Sequence, residues 1–197
     1  MEKLIMCAVS GYLIGSFSMS IILTKYIFHD DVRCHGSGNA GATNVARTFG
    51  WGPGIITFLC DFSKCVIAMY LGKILAGDWG YAVAGMACLL GHCFPVYFGF
   101  RGGKAVSTGA CVAFLIDWRI FAAVILVFFV TALKTKIVSI SSILAAAALS
   151  LLSLFMVPQL PVKILGVFTG LLTIVMHIPN IRRLIRGEEE PFKPGSR

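Results

Sequence analysis

Three short segments of this chain combine glycines, cations and small hydrogen-bonding side chains. They are Gly36-Ser37-Gly38-Asn39-Ala40-Gly41-Ala42-Thr43-Asn44 with Arg47, Arg101-Gly102-Gly103-Lys104 followed by Ser107 and Thr108, and His177-Ile178-Pro179-Asn180 with Arg182 and Arg183. Glycine permits positive φ values, so such loops let successive N–H groups curl round an anion. The first segment formally matches GxGxxG, but it lacks the preceding strand and βαβ unit that a dinucleotide site requires. The second falls short of a P-loop, because its first glycine spacing differs and Ala105 stands where a magnesium-binding hydroxyl belongs; nucleotide hydrolysis is thereby disfavoured. It leads straight into an apolar run, so Lys104 and the first-turn amides near Ser107 and Thr108 converge where a helix start stabilises an anion by about 0.3 to 2 kcal/mol. His177 belongs to the residue type that titrates near neutrality, and Asn180 falls on the same face of a helical turn, a pair suited to moving a proton and orienting a carbonyl or phosphate. Pro179 competes with this arrangement, since it disfavours a helical Ile178 and leaves Asn180 as a cap for the following segment. The chemistry in common is that of a phosphorylated substrate and a proton transfer.

The elements that must position these groups are membrane helices. With 57% hydrophobic and 13% charged residues in 197, the chain is too apolar for a soluble domain and too short for two ordinary domains. A single integral membrane domain over residues 1–197 is expected. Apolar stretches run from Leu4 to Ile27, Ile55 to Leu75, Tyr81 to Phe98, Val106 to Ile116, Ile120 to Leu133, Ile140 to Val157 and Val162 to Met176. A crossing takes about 20 residues, and the two stretches beside Asp117-Trp118-Arg119 are short. The distribution of cations decides whether they form one helix or two. With a break there, Lys25, Arg33, Arg47, Arg101, Lys104, Lys134, Lys136, Arg182, Arg183, Arg186, Lys193 and Arg197 share one side, against Lys3, Lys73, Arg119 and Lys163 on the other. Without it the asymmetry weakens and reverses. The expected fold class is therefore an all-α integral membrane protein with seven transmembrane helices, some short, its N-terminus outside and its C-terminus cytoplasmic. All three segments, together with Lys134 to Ser142, then face the cytoplasm.

The formal net charge of +8 is scattered through short loops, which argues for anionic lipid as partner and against nucleic acid. Seven cysteines, an odd number without a CxxC pair, read as packing residues. Asp61 and Lys64, spaced i,i+3, each cost about 2.5 to 3.5 kcal/mol alone at mid-bilayer and are expected to pair. His92 near Cys88 and Cys93 lacks four-ligand spacing, so no metal site is expected. The tail from Gly187 to Arg197 reads as a linker. A phosphate transporter would call for repeats around a midplane site, and none is evident.

Asp31-Val32-Arg33 with Gly36-Ser37-Gly38-Asn39 and Gly41-Ala42-Thr43-Asn44 resembles the first motif of the PlsY family, the bacterial integral membrane glycerol-3-phosphate acyltransferases that use acyl phosphate as donor. Gly91-His92, Phe94-Pro95 and Gly102-Gly103-Lys104 resemble the second; His177, Asn180-Ile181, Arg183-Leu184, Gly187 and Glu189 resemble the third. The resemblance spans nearly the whole chain, with two departures: Ala105 where glycine is usual, and Ile178-Pro179 in place of the commoner basic residue after the histidine. It implies transfer of a fatty acyl group from acyl phosphate to the 1-hydroxyl of glycerol 3-phosphate, giving lysophosphatidic acid and inorganic phosphate in phospholipid biosynthesis. The setting implied is the bacterial inner membrane, with the site facing the cytoplasm and no cofactor, coenzyme A or metal. The acyl-CoA alternative uses a histidine followed five residues later by aspartate, a spacing absent here.

On this resemblance Ser37, with the loop carrying Gly36, Gly38, Asn39, Thr43 and Asn44, holds one phosphate, and Lys104 neutralises the departing charge. Gly102, Gly103, Ser107 and Thr108 hold a phosphate at the helix start, with Arg47 and Arg182 or Arg183 as further cations. His177 accepts or relays the hydroxyl proton, Asn180 orients the nucleophile or stabilises the oxyanion, and Ser142 adds a hydrogen bond. Two alternatives stay open: acyl phosphate acting as its own base with His177 as an orienter, and which loop holds which phosphate.

Overall fold

The first apolar run, expected as one helix, is two. In the computed structural model, which describes residues 1–195, helix α1 (Glu2–Ser16) and helix α2 (Met19–Ile27) are separated by extended backbone at Phe17 and Ser18. Arg197, counted above among the cytoplasmic cations, lies outside the described residues. The serines around the break give the backbone alternatives to the helix. The Ser18 and Ser20 hydroxyls lie 2.9 Å apart, and Ser20 Oγ donates to the Ala40 carbonyl at 2.9 Å. The Phe17 carbonyl, released from the helix, accepts a 2.7 Å hydrogen bond from Lys64 Nζ.

A 3₁₀ turn at Val32–Cys34 leads through the glycine loop to α3 (Ala42–Phe49). The next element, α4 (Trp51–Cys93), folds back on itself where Ala76 and Gly77 leave helical geometry; Gly77 takes φ 61°, a value glycine adopts without penalty. Its two arms run antiparallel: Gly72 lies against Gly80, Met69 against Gly85, and Lys64 against His92. Each arm corresponds to one of the two expected apolar stretches. α1 packs on the second arm backbone to backbone. A Cβ on Gly91 would overlap the Tyr12 carbonyl oxygen and come within 2.8 Å of the Ser16 nitrogen.

After a 3₁₀ turn at Val96–Phe98 come α5 (Val106–Ile116), α6 (Trp118–Thr135), α7 (Val138–Met156), α8 (Leu160–Met176) and α9 (Ile178–Ile185). The expected break at Asp117 is present. Its carboxylate caps α6 by accepting from the Arg119 N–H at 2.8 Å. α5 has 11 residues, about 16 Å of helix against a hydrocarbon thickness of about 30 Å. By length and composition Glu2–Ile27, Trp51–Phe98, Trp118–Thr135 and Val138–Met156 are apolar and long enough to cross a membrane. α8 with α9, bent by 50°, makes a fifth candidate. Among the described residues there is no strand.

One core, around Met69, Leu89, Val112 and Leu165, joins α4, α5 and α8; a second, around Ile120, Val124 and Leu149, joins α6 and α7. The tail is more than a linker. The Phe192 N–H donates to the Lys136 carbonyl at 2.9 Å, the Gly195 N–H donates to the Ala46 carbonyl at 3.2 Å, and the Phe192 ring packs on Trp51.

A polar pocket joined to an apolar cavity

The turns at Gly77, at Asp117 and between α7 and α8 lie at one end of the bundle, and the three glycine- and cation-bearing segments lie at the other. There Ser37, Asn39, Thr43, Asn44, Arg47, His92, Lys104, Ser107, Ser139, Ser142, His177, Asn180 and Glu189 line one pocket of about 230 Å³. Three helices begin at its wall, through Ala42 and Thr43 of α3, Val106 and Ser107 of α5, and Val138 and Ser139 of α7. None of these starts has a side-chain cap. First-turn amides and the positive ends of three dipoles therefore favour an anion in the space between them.

Gly36 and Gly38 take the expected positive φ values, 53° and 69°, and three of the loop amides are engaged within the fold. Ser37 N–H donates to Asn44 Oδ1 at 3.0 Å, Gly38 N–H to the His35 carbonyl, and Ala40 N–H to the Gly102 carbonyl. Asn44 is buried, and its Nδ2 lies 2.9 to 3.0 Å from the carbonyls of Val32, His35 and Asn39, so it builds the loop from within. Gly102 and Gly103 likewise donate to the Cys93 and His92 carbonyls, stitching their segment to the end of α4. Thr108 is fully buried and does not line the pocket; the helix phase brings Val106 and Ser107 there instead. Arg182 is exposed outside the pocket wall.

Pro179 fits the first turn of α9, where a missing N–H costs nothing, so Asn180 is helical and does not act as a cap. His177 joins α8 to α9. Its Nδ1 sits 2.7 Å from the Thr173 carbonyl, which can only accept, so Nδ1 carries a proton and the neutral ring keeps its lone pair on Nε2. Lys104 Nζ donates to Asn180 Oδ1 at 2.5 Å, Asn180 Nδ2 donates to Glu189 Oε1 at 2.6 Å, and Arg183 Nε donates to Glu189 Oε2 at 2.6 Å. The donor-only lysine and the acceptor-only carboxylate fix which way the amide points. Burial, then the charges of Arg183 and Arg47, bring the Lys104 pKa down to about 8, against the opposing pull of Glu189. Burial would raise the Glu189 carboxyl, but hydrogen bonds from Asn180 and Arg183 hold it below the ordinary range. Glu189 matches the third motif, but its partnership with Asn180 is not legible in sequence because a nine-residue separation across a turn has no periodic signature, and Ser139 stands in no motif.

Between α5, α6 and α7 lies an apolar cavity of about 350 Å³, walled by Phe121, Val124, Ile125, Phe129, Ala145 and Leu149 among others. It shares Phe58, Val106, Phe128 and Ser142 with the polar pocket, so the two spaces adjoin. An occupant with an anionic head and an alkyl tail matches the pair.

Residues 5–187 match the glycerol-3-phosphate acyltransferase family model. The glycerol-3-phosphate acyltransferase of Shouchella clausii is 40% identical, with 95% of each chain covered. That of Thermoanaerobacter pseudethanolicus is 36% identical, covering 94% of this chain and 93% of the relative. The fold is similar to the crystal structure of PlsY (YgiH), an integral membrane glycerol 3-phosphate acyltransferase, in its glycerol 3-phosphate form, with a TM-score of 0.88, 34% identity and 96% of each chain covered. It is also similar to the lysphosphatidic acid form of that protein, with a TM-score of 0.85, 33% identity and coverage of 96% and 95%.

Proposed function

The chain belongs to the glycerol-3-phosphate acyltransferase family, and from that premise we propose that it transfers a fatty acyl group from acyl phosphate to the 1-hydroxyl of glycerol 3-phosphate. The products are lysophosphatidic acid and inorganic phosphate. The observation that carries this reading is the shared wall between the anion-favouring pocket and the apolar cavity, because each reactant has a phosphate and the donor also has an alkyl chain. In this reading the chain crosses the bacterial inner membrane seven times, α1 with α2 once and each arm of α4 once. The N-terminus is outside and the pocket opens to the cytoplasm, where soluble substrate arrives while product stays in the bilayer.

The transfer is direct. The 1-hydroxyl oxygen bonds to the acyl carbon, the bond from that carbon to the phosphate oxygen breaks, and the hydroxyl proton leaves with or through a base. Acyl phosphate is already activated, and among the described residues no serine or cysteine side chain hydrogen-bonds to a histidine. Nε2 of His177 and the departing phosphate are the two candidate bases. Lys104 and the three helix starts offset the charge that develops on the leaving phosphate, and Asn180 and Ser142 orient the hydroxyl.

The test supplies purified protein with glycerol 3-phosphate and either acyl phosphate or acyl-CoA, and measures lysophosphatidic acid and released phosphate. Equal amounts of both products from acyl phosphate are expected. Product from acyl-CoA alone rejects the donor, and phosphate uptake into vesicles without product favours transport. Exchange of labelled phosphate into acyl phosphate in the absence of glycerol 3-phosphate would reveal an acyl-enzyme and refute direct attack.

A further inference from the structure

One buried constellation has no part in the reaction as described: Asp61, Lys64 and His92, on the facing arms of α4. Lys64 Nζ lies 2.8 Å from Asp61 Oδ1, donates to the Phe17 carbonyl, and sits 3.1 Å from His92 Nδ1. All three residues are more than nine-tenths buried. An ammonium group can only donate, so the ring nitrogen facing it must be the acceptor. A proton on Nδ1, directed at Asp61 Oδ1 3.5 Å away, would set two donors against each other. The neutral ring therefore carries its proton on Nε2.

That far edge of the ring meets the glycine segment. A Cβ on Gly103 would overlap Nε2 and come within 2.6 Å of Cε1 and 3.0 Å of Cδ2, so only glycine leaves room for the imidazole. The Gly103 N–H donates to the carbonyl of His92 itself, tying the segment to the same residue. Among the described residues no hydrogen bond uses Nε2, and His92 lines the polar pocket beside Lys104 and Ser107.

We propose that His92 contacts substrate, its Nε2–H donating a hydrogen bond to a phosphate oxygen in the polar pocket, and that Lys64 and Asp61 are positioning residues that fix the tautomer. The proposal rests on the acyltransferase reading and names a further binding group of that site. A neutral donor suits the place, because it adds a hydrogen bond without adding charge beside Lys104. It also gives the buried ion pair a use: the charges hold a ring, and the ring reaches the pocket.

Asparagine and glutamine separate the two ends of the imidazole, since the asparagine amide reaches the place of Nδ1 and the glutamine amide nitrogen reaches that of Nε2. The experiment measures, in the full-length protein, the KM for glycerol 3-phosphate and the inhibition constant of inorganic phosphate, alongside kcat and thermal unfolding. His92→Gln is expected to keep both constants within about 3-fold of wild type. His92→Asn is expected to weaken at least one by about 10- to 150-fold, the range for a hydrogen bond to a charged group, with kcat changing less. Lys64→Met is expected to weaken the same constant and Lys64→Arg, which keeps a donor, to recover most of it. Equal constants in the two His92 variants, or asparagine outperforming glutamine, overturn the proposal and leave His92 as packing for Lys64. Failure of Lys64→Arg to recover the loss overturns the positioning role. Wild-type turnover of acyl phosphate in the same assays reports separately on the acyltransferase reading.

Discussion

Replacing Lys104 by methionine keeps the length and apolar stem of the side chain and removes only its ammonium group. In the fold that group is costly to keep charged: its pKa lies near 8, against an ordinary 10.5, chiefly because it is buried. The displacement corresponds to about 3 kcal/mol of disfavoured protonation. A phosphate beside Nζ offsets that cost, and one hydrogen bond between charged groups contributes about 1.5 to 3 kcal/mol. Lys104→Met is therefore expected to lower kcat/KM for glycerol 3-phosphate by about 10- to 150-fold at pH 7. In the wild type kcat/KM should hold level up to pH 8 and then fall about tenfold per pH unit as the lysine loses its proton. Lys104→Met should lack this alkaline fall, and so should Lys104→Arg, whose guanidinium stays charged. Unfolding does not mimic the effect through this residue. Between its folded pKa near 8 and its unfolded value near 10.5 the unfolded chain binds more protons, so this group makes the fold more stable as pH rises. The assay is a pH series of initial rates with both substrates well below their KM, so that Lys104 titrates in the empty pocket. An alkaline fall persisting unchanged in Lys104→Met, or a loss below about threefold at pH 7, would refute the assignment.

Asn44→Ala strips the hydrogen bonds that tie the first loop to α3, leaving buried carbonyls and the Ser37 N–H to find other partners; a loss of about 1 to 3 kcal/mol should appear as a lower thermal midpoint, with a raised KM. Ala145→Leu extends a side chain into the apolar cavity and should shift the preferred acyl chain towards shorter lengths, read by competing donors of different length; an unaltered preference would remove the cavity from the donor site. Ala105 adopts φ 60° where the family usually has glycine. Ala105→Gly relieves about 1 kcal/mol of left-handed strain and gives up a buried methyl worth about 0.8 kcal/mol. Its thermal midpoint should therefore stay near wild type, with activity retained.

The parts of the fold legible in the sequence are those written in local pattern. Asp117-Trp118-Arg119 marked a helix boundary because its polar residues interrupt an apolar run, and Asp117 caps α6 there. Gly36 and Gly38 announced positive φ values, and the i,i+3 spacing of Asp61 and Lys64 announced their pairing. The break at Phe17 and Ser18 left only a weak signal, Ser16, Ser18 and Ser20 in a run without charge; the Ser20 bond that supports it draws on Ala40, which is near only after folding. The destination of the loop amides was hidden. Glycines showed that N–H groups could turn towards an anion, but the partners they took instead, the Asn44 side chain and the Cys93 and His92 carbonyls, depend on tertiary register. In sequence, His92 stands as a metal-like residue type among cysteines. Its position in the pocket follows from the reversal at Gly77, which sets it opposite a lysine 28 residues earlier.

One acyl phosphate molecule is expected to span the polar pocket and the adjoining apolar cavity. Acyl phosphate carrying a diazirine near the end of its chain, photolysed on the protein in membranes and mapped by peptide mass spectrometry, measures this directly. Adducts are expected on Val124, Phe128, Ala145 and Leu149, and an excess of unmodified acyl phosphate should suppress them. Labelling confined to outward residues such as Leu126 and Phe155 would place the chain in bulk lipid and contradict the account.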